Sequence, residues 1–241
     1  MNSQNKILSS LYQIPYFKNV PEEELSKLAG MVKKSCFKKK DLIFTANQKC
    51  RNLHILHKGK IKIFMVSENG KELIIHFLKP MNFFGEEMLF GENIYEANAQ
   101  ALSETVLFDI NKKDLEDFII SHPRVGIAML AGFGKRVKKL VKMVGDLALK
   151  DIQSRLVCWL VQMVNEQGVK TNEGIEINGL SQEEVASRLG TVREPVSRCL
   201  NRLQESNLIK LGRKKIIVPN IDYLYNLLNH IPSHIPTRHH S

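Results

Sequence analysis

The stretch that most constrains this chain is Ser181 to Leu208, SQEEVASRLGTVREPVSRCLNRLQESNL, which predicts two short helices joined at a tight turn. Ser181 opens the first helix. Its hydroxyl can accept the third helical amide while Glu184 reaches back to the cap, the reciprocal arrangement of a capping box. Val185 and Leu189 then share a face. Gly190 supplies the left-handed residue that ends the helix, a conformation a Cβ resists. Beyond it Val196, Leu200 and Leu203 recur at intervals of 4 and 3, an apolar stripe on a second helix. Pro195 falls in the first turn, where its missing amide costs little.

The face opposite that stripe carries Arg193, Glu194, Ser197, Arg198 and Arg202. Arginine can bond guanine through O6 and N7, and glutamate can accept from the cytosine amine, so these groups suit a helix lying in a major groove. With Ser181 and Thr191 they make up the candidate DNA contacts. The plain alternative is a helical hairpin that only fills a core. Leu211 to Pro219, LGRKKIIVP, argues against it, because it reads as a strand, a basic turn and a second strand, a wing beside the helix pair.

A chain of 241 residues can hold two modest domains. Its formal charge of +10 favours an anionic partner. The surplus lies mostly away from the helix pair: there are 12 Lys and Arg against 9 Asp and Glu from Leu149 onward, and 23 against 16 before it. Lys33, Lys34, Lys38, Lys39 and Lys40 read as a solvated face. The four cysteines, Cys36, Cys50, Cys158 and Cys199, are scattered without a C-x-x-C pair, which excludes a disulfide scaffold, a zinc finger and a clustered iron–sulfur site and predicts no metal. The amino-terminal stretch lacks a basic start followed by a long apolar core, and no run approaches membrane-spanning length, so a cytoplasmic chain without a membrane partner is expected. Glu86 and Glu87 are adjacent and make a poor acid–base pair, and no phosphate loop or nucleophile triad is evident. An enzyme is not expected.

Residues 5–30 hold short helical patterns, the second opening at Pro21 with three glutamates. From Cys36 to Ile110 the period becomes two, with Leu53, Ile55, Ile61, Ile63 and Phe64 strand-like and Asn69-Gly70 marking a hairpin. Short strands at this spacing predict a small barrel or jelly roll. Met81 to Leu89, MNFFGEEML, interrupts them with a short helical turn, and Tyr95 to Asp109 resumes. Next, Leu130, Phe133, Val137, Leu140, Val144 and Leu147 fall at heptad spacing, a seam that can pair two chains or lie on its own roll. Asp151 starts another helix ending near Gly168, leaving Leu147 to Asp151 as a hinge. A polar hairpin, KTNEGIEINGL, leads to the helix pair, and Ile221 to Leu228 forms a last helix. The tail SHIPTRHHS is expected to stay without fixed structure. The expected division is a sensing domain at 1–123, a dimerisation helix and hinge at 124–150, a DNA-binding domain at 151–232 and a tail at 233–241.

This order of parts resembles the Crp/Fnr superfamily of bacterial transcription regulators over about Tyr16 to Leu228. The resemblance rests on NGKELIIHFLKPMNFFGEEML, the heptad helix and TVREPVSR. It implies an α+β chain: a cyclic-nucleotide-binding-like β-roll, a long dimerisation helix and a winged helix-turn-helix. It also implies a homodimer on double-stranded DNA that contacts RNA polymerase where it activates. A ligand-binding module whose helix pair contacts protein is the alternative. In the cAMP-binding branch a Gly-Glu pair holds the ribose, an Arg-Ser pair the cyclic phosphate and a Thr-Ser pair the adenine. Gly85 and Glu86 match the first, but Glu96-Ala97 and Leu140-Val141 stand at the other two, and a carboxylate facing a phosphate repels it. The implied pocket of Phe83, Phe84, Gly85, Glu86, Glu96, Leu140 and Val141 is therefore expected to take an effector other than cAMP.

The oxygen-sensing branch needs cluster cysteines that are missing here, which leaves a haem-bound gas, an organic small molecule or no ligand as the signal. His54, His57, His76, Met88 and Met143 are the residues able to ligate haem iron, with core or surface packing the plainer role for each. Within the superfamily, E-x-x-S-R reads a TTGA-type arm and R-E-x-x-x-R a TGTGA-type arm, and this chain satisfies both. Glu194 and Arg198 would read the shared GA core, Ser197 a thymine, and Arg193 a phosphate or an extra guanine. A palindrome with half-sites about 34 Å apart is expected.

Overall fold

A computed structural model describes residues 3–14, 17–89, 94–179 and 181–229. The polar tail and its histidines lie outside the described residues. The chain divides into two compact units, Met1–Met65 with Ile74–Val141, and Val66–Leu73 with Lys142–Ser241.

The first unit opens with helices α1 (Ser3–Tyr12) and α2 (Glu22–Gly30); Pro21 precedes α2 and Glu22, Glu23 and Glu24 fill its first turn, where the helix dipole favours negative charge. The strands are β1 (Lys33–Phe37), β2 (Leu42–Phe44), β3 (Asn52–Lys58), β4 (Ile61–Val66), β5 (Glu72–Leu78), β6 (Phe83–Phe84), β7 (Asn98–Ala101) and β8 (Thr105–Asn111). They form two four-stranded sheets, β1-β8-β3-β6 and β2-β7-β4-β5. The Asn69-Gly70 turn joins β4 to β5, with Gly70 at φ +74. Leu53, Ile55, Ile61, Phe83, Met88, Leu107 and Ile110 are buried together with Leu11 and Ile14 of the amino-terminal segment, so the helical patterns before the roll serve its core.

Helix α3 (Lys112–Ser121) was not foreshadowed by the period-two pattern that precedes it. Asn111 caps it by accepting the Lys113 amide, and it stops before Pro123, whose ring disfavours helical geometry in the preceding residue. Pro123 then begins α4 (Pro123–Leu149). This helix carries two apolar stripes. Val125, Met129 and Gly132 are buried, and Phe133 packs edge-on to Phe83 with ring centroids 5.5 Å apart. The other stripe, Ile127, Leu130, Val137, Val141 and Val144, is exposed at 57–67%. The seam read from the sequence therefore needs correction. Leu130, Val137, Leu140 and Val144 face solvent, but Phe133 is turned to the roll and Leu147 is half-buried. Two interleaved stripes on one helix both give 3–4 spacing, and the spacing cannot say which of them the roll takes.

In the second unit Asp151 caps α5 (Ile152–Gln167), its carboxylate accepting the Ser154 amide at 2.7 Å. There follow β9 (Val169–Thr171), β10 (Gly174–Asn178), α6 (Gln182–Arg188), α7 (Arg193–Glu205), β11 (Lys210–Gly212), β12 (Lys215–Val218) and α8 (Ile221–Asn229). The wing strands join the polar hairpin in one sheet ordered β11-β12-β10-β9. Leu156, Leu160, Val185, Val196, Leu200, Leu203, Ile216, Val218 and Leu224 form the core beneath it. Among the described residues no helix is long and apolar enough to cross a membrane.

Candidate functional site

The helix pair is set by local chemistry. The Glu184 amide donates to Ser181 Oγ at 3.2 Å and the Ser181 amide to Glu184 Oε2 at 2.9 Å, a complete capping box. Gly190 sits at φ +65, where a side chain would be strained. Val196, Leu200 and Leu203 are buried, which turns the opposite face of α7 outward. There Arg198 lies 3.6 Å from Glu194 one turn earlier, with side chains 65% and 78% exposed. Arg193 Nε lies 3.3 Å from Glu183 and donates to Gln182 at 3.4 Å, both on α6. Arg202 is exposed and Ser197 half-buried.

Ser181 stands apart from the other candidate contacts, since its hydroxyl serves the cap. Thr191 is half-buried beside Gly190, its amide bonded to the Ala186 carbonyl. Sequence reasoning passed over Gln182 and Glu183, whose partner Arg193 is ten or so residues away on another helix. Arg213 and Lys214 sit exposed at the basic wing turn, while Lys210 and Lys215 are paired with Glu173 and Glu176 at 3.6 and 2.9 Å. A cavity of about 190 Å³ opens between Ser181, Gln182, Lys214 and Lys215.

In the roll, Gly85 adopts φ +81, and a Cβ there would come within 2.8 Å of the Asn52 carbonyl and 3.0 Å of His54. Glu86 follows on a single 3-10 turn, Glu86–Leu89. Its carboxylate meets Arg136 of α4 at 2.5 Å, and Arg136 also donates to the Phe83 carbonyl at 3.0 Å. The guanidinium lies 5.0 Å from the Phe83 ring and 5.9 Å from Phe133. Burial pushes the Glu86 carboxyl above its ordinary value, and Arg136 opposes that shift. The second carboxylate oxygen of Glu86 is buried without a hydrogen-bond partner. His76 on β5 is pushed down to about 4 by burial and by Lys139 and Arg136. Behind the glycine turn, Cys50 donates to the Gly85 carbonyl at 3.1 Å, and His54 bridges Asp109 at 2.7 Å and Tyr95 at 3.0 Å.

Phe83, Phe84, Gly85 and Glu86 are thus together, but Glu96, Leu140 and Val141 are not drawn to them. Leu140 and Val141 are 41% and 67% exposed and Glu96 lies on the surface. Arg136, one turn before Leu140, is the helix residue that reaches Glu86. Three of the residues able to ligate haem iron are engaged elsewhere. Both ring nitrogens of His54 have partners, His57 bonds Ser10 at 2.9 Å and stacks on Phe108, and Met88 is fully buried in the core. His76 lies beside two cations and Met143 is half-buried. His54, His57 and Met88 are thus committed to the roll and do not fit as haem ligands.

Residues 34–122 match the family model of the cyclic nucleotide-binding domain, and residues 154–227 that of the Crp-like helix-turn-helix domain. The global nitrogen regulator of Synechococcus elongatus is 30% identical over 189 residues, 76% of this chain and 84% of the relative. The cAMP-activated global transcriptional regulator CRP of Pasteurella multocida is 28% identical over 181 residues, 74% and 86% of the two chains. Among solved structures, the c-di-GMP responsive global regulator CLP of Xanthomonas campestris superposes with a TM-score of 0.75 at 20% identity, covering 83% of this chain and all of that one. A CooA mutant from Carboxydothermus hydrogenoformans gives 0.71 at 22%, covering 83% and 88%. With the roll, the long helix and the winged helix pair in place, the chain belongs to the Crp/Fnr superfamily and is a Crp-like transcriptional regulator with a helix-turn-helix DNA-binding domain.

Proposed function

We propose that the chain works in the cytoplasm as a homodimer on a palindrome with TTGA-like arms, under the control of an effector other than cAMP. The observation that carries the reading is the outward face of α7, where Glu194, Ser197 and Arg198 stand over a buried Val196–Leu200–Leu203 stripe. The exposed line through Leu130, Val137 and Val144 supports pairing of two copies along α4. Residues 1–123 would sense, 124–150 pair and relay, and 151–232 bind DNA, with RNA polymerase as a further partner where the site activates.

The residues matched to the cAMP contacts argue against cAMP: by the resemblance, Glu96-Ala97 take the places of the Arg-Ser pair that grips a cyclic phosphate, and Leu140-Val141 those of the Thr-Ser pair. An effector that binds Glu86, through its unpartnered oxygen or in place of Arg136, would bias the position of α4 between two states. Gel shift on a TTGA palindrome and on a scrambled duplex across salt tests the DNA reading, because phosphate contacts release counterions. The palindrome should be preferred at every salt concentration, and equal binding to both duplexes would overturn the reading. Calorimetric titration with cAMP should show no tight binding.

A further inference from the structure

We propose that Glu183 is a positioning residue for Arg193, directing it to a guanine edge rather than a phosphate and so setting specificity at that base from outside the recognition helix. The inference rests on the reading of α7 as a base-reading helix and assigns a role to a residue on α6.

Arg193 is the first residue of α7, and its contacts with Glu183 and Gln182, at 3.3 and 3.4 Å, both use Nε. The terminal amino groups, the pair that bonds guanine O6 and N7, are not engaged by these two contacts. A carboxylate on Nε restricts rotation of the guanidinium plane and so orients the fork. With the side chains of Arg193 and Glu183 66% and 62% exposed, the pair is weak in water. It gains strength when DNA excludes solvent from it.

The same carboxylate disfavours the other use of Arg193. A phosphate drawn to this arginine would also approach Glu183, and like charges repel. A guanine edge presents partial rather than full negative charge and meets far less repulsion. The surrounding charges follow the same pattern: Arg198 is accompanied by Glu194, Lys210 by Glu173 and Lys215 by Glu176. Most of the chain's positive surplus precedes Leu149. Indiscriminate attraction of the reading unit for phosphate is damped in this way.

The test measures affinity of the full-length protein for three duplexes across a range of potassium chloride: a palindrome with TGTGA-type arms, the same palindrome with the extra guanine replaced by adenine, and a scrambled sequence. Wild type should prefer the guanine by about tenfold. Glu183→Gln should lower that preference severalfold and leave discrimination at the other arm positions intact. It should also tighten binding to the scrambled duplex and steepen the salt dependence, by about one unit per half-site. Arg193→Lys should abolish the preference at this base alone. Both residues are exposed, so unchanged melting temperatures are expected. An unchanged guanine preference in Glu183→Gln would overturn the inference, as would a uniform loss across all three duplexes in Arg193→Ala with a shallower salt slope. A wild type that does not distinguish palindrome from scramble would instead overturn the reading of α7 itself, and this inference with it.

Discussion

Arg136 closes on Glu86: one guanidinium nitrogen lies 2.5 Å from the carboxylate and the other bonds the Phe83 carbonyl at 3.0 Å. With side chains only 25% and 16% exposed, neither charge is well served by water. Removing one partner of such a pair leaves the other uncompensated.

Arg136→Ala is expected to destabilise the protein by about 3 kcal/mol in urea unfolding, with Glu86→Gln less harmful because the amide oxygen can still accept from Arg136, which also keeps the Phe83 carbonyl. The pH dependence adds a signature. The folded-state Glu86 carboxyl is raised by burial against the pull of Arg136, so its contribution is present at low pH and is lost as pH rises through the folded value. Without Arg136 that loss should extend further and lie at higher pH. Identical slopes in wild type and variant would contradict the pairing.

His76 carries the opposite sign. Its folded value of about 4 lies below its ordinary 6.5, so its contribution is present above 6.5 and is lost as pH falls toward 4. Proton chemical shifts of the ring should titrate near 4 in wild type. In Arg136→Ala or Lys139→Ala the midpoint should rise, because each substitution removes a positive neighbour. A midpoint near 6.5 in wild type would remove the buried setting described for this histidine.

The two stripes of α4 separate association from folding. Val137→Asp, on the exposed line, should shift the sedimentation of the protein toward monomer while barely changing its urea midpoint. Phe133→Ala should do the reverse, costing about 2 kcal/mol of stability through the lost contact with Phe83 and leaving association intact. If Phe133→Ala alone dissociates the protein, the stripes have been assigned to the wrong partners.

Ser181 separates capping from reading. Ser181→Ala removes an acceptor from the capping box and should cost about 1 kcal/mol of stability. Base preference on palindromic DNA should not change, since the hydroxyl is engaged by Glu184. A change in preferred sequence would return Ser181 to the contacts.

What the sequence revealed follows the range of each interaction. Ser181, Glu184 and Gly190 define the first reading helix within ten residues, and the spacing of Val196, Leu200 and Leu203 identifies the outward face of the second. The Asn69-Gly70 hairpin and the Asp151 cap are equally local. The Glu86–Arg136 pair is not, because it joins a roll turn to a helix fifty residues later and depends on which stripe of α4 meets the roll. The same holds for His54, which reads as a candidate metal ligand in isolation but is the cross-strand partner of Asp109 once β3 pairs with β8. Leu140 and Val141 stand where the resemblance implies an adenine contact, while here both are exposed and the helix residue that meets the roll turn is Arg136.

The central claim is that α7 reads a two-armed site through Glu194, Ser197 and Arg198, and selection of bound sequences from a random duplex pool tests it most directly. Wild type should enrich a palindrome whose arms share the TGA core of TTGA-type and TGTGA-type sites, centred about 34 Å apart. Arg198→Ala should lose about 1 to 3 kcal/mol on that site and relax the choice at its guanine. A pool that yields no palindrome, or the same palindrome with and without Arg198, would contradict the account.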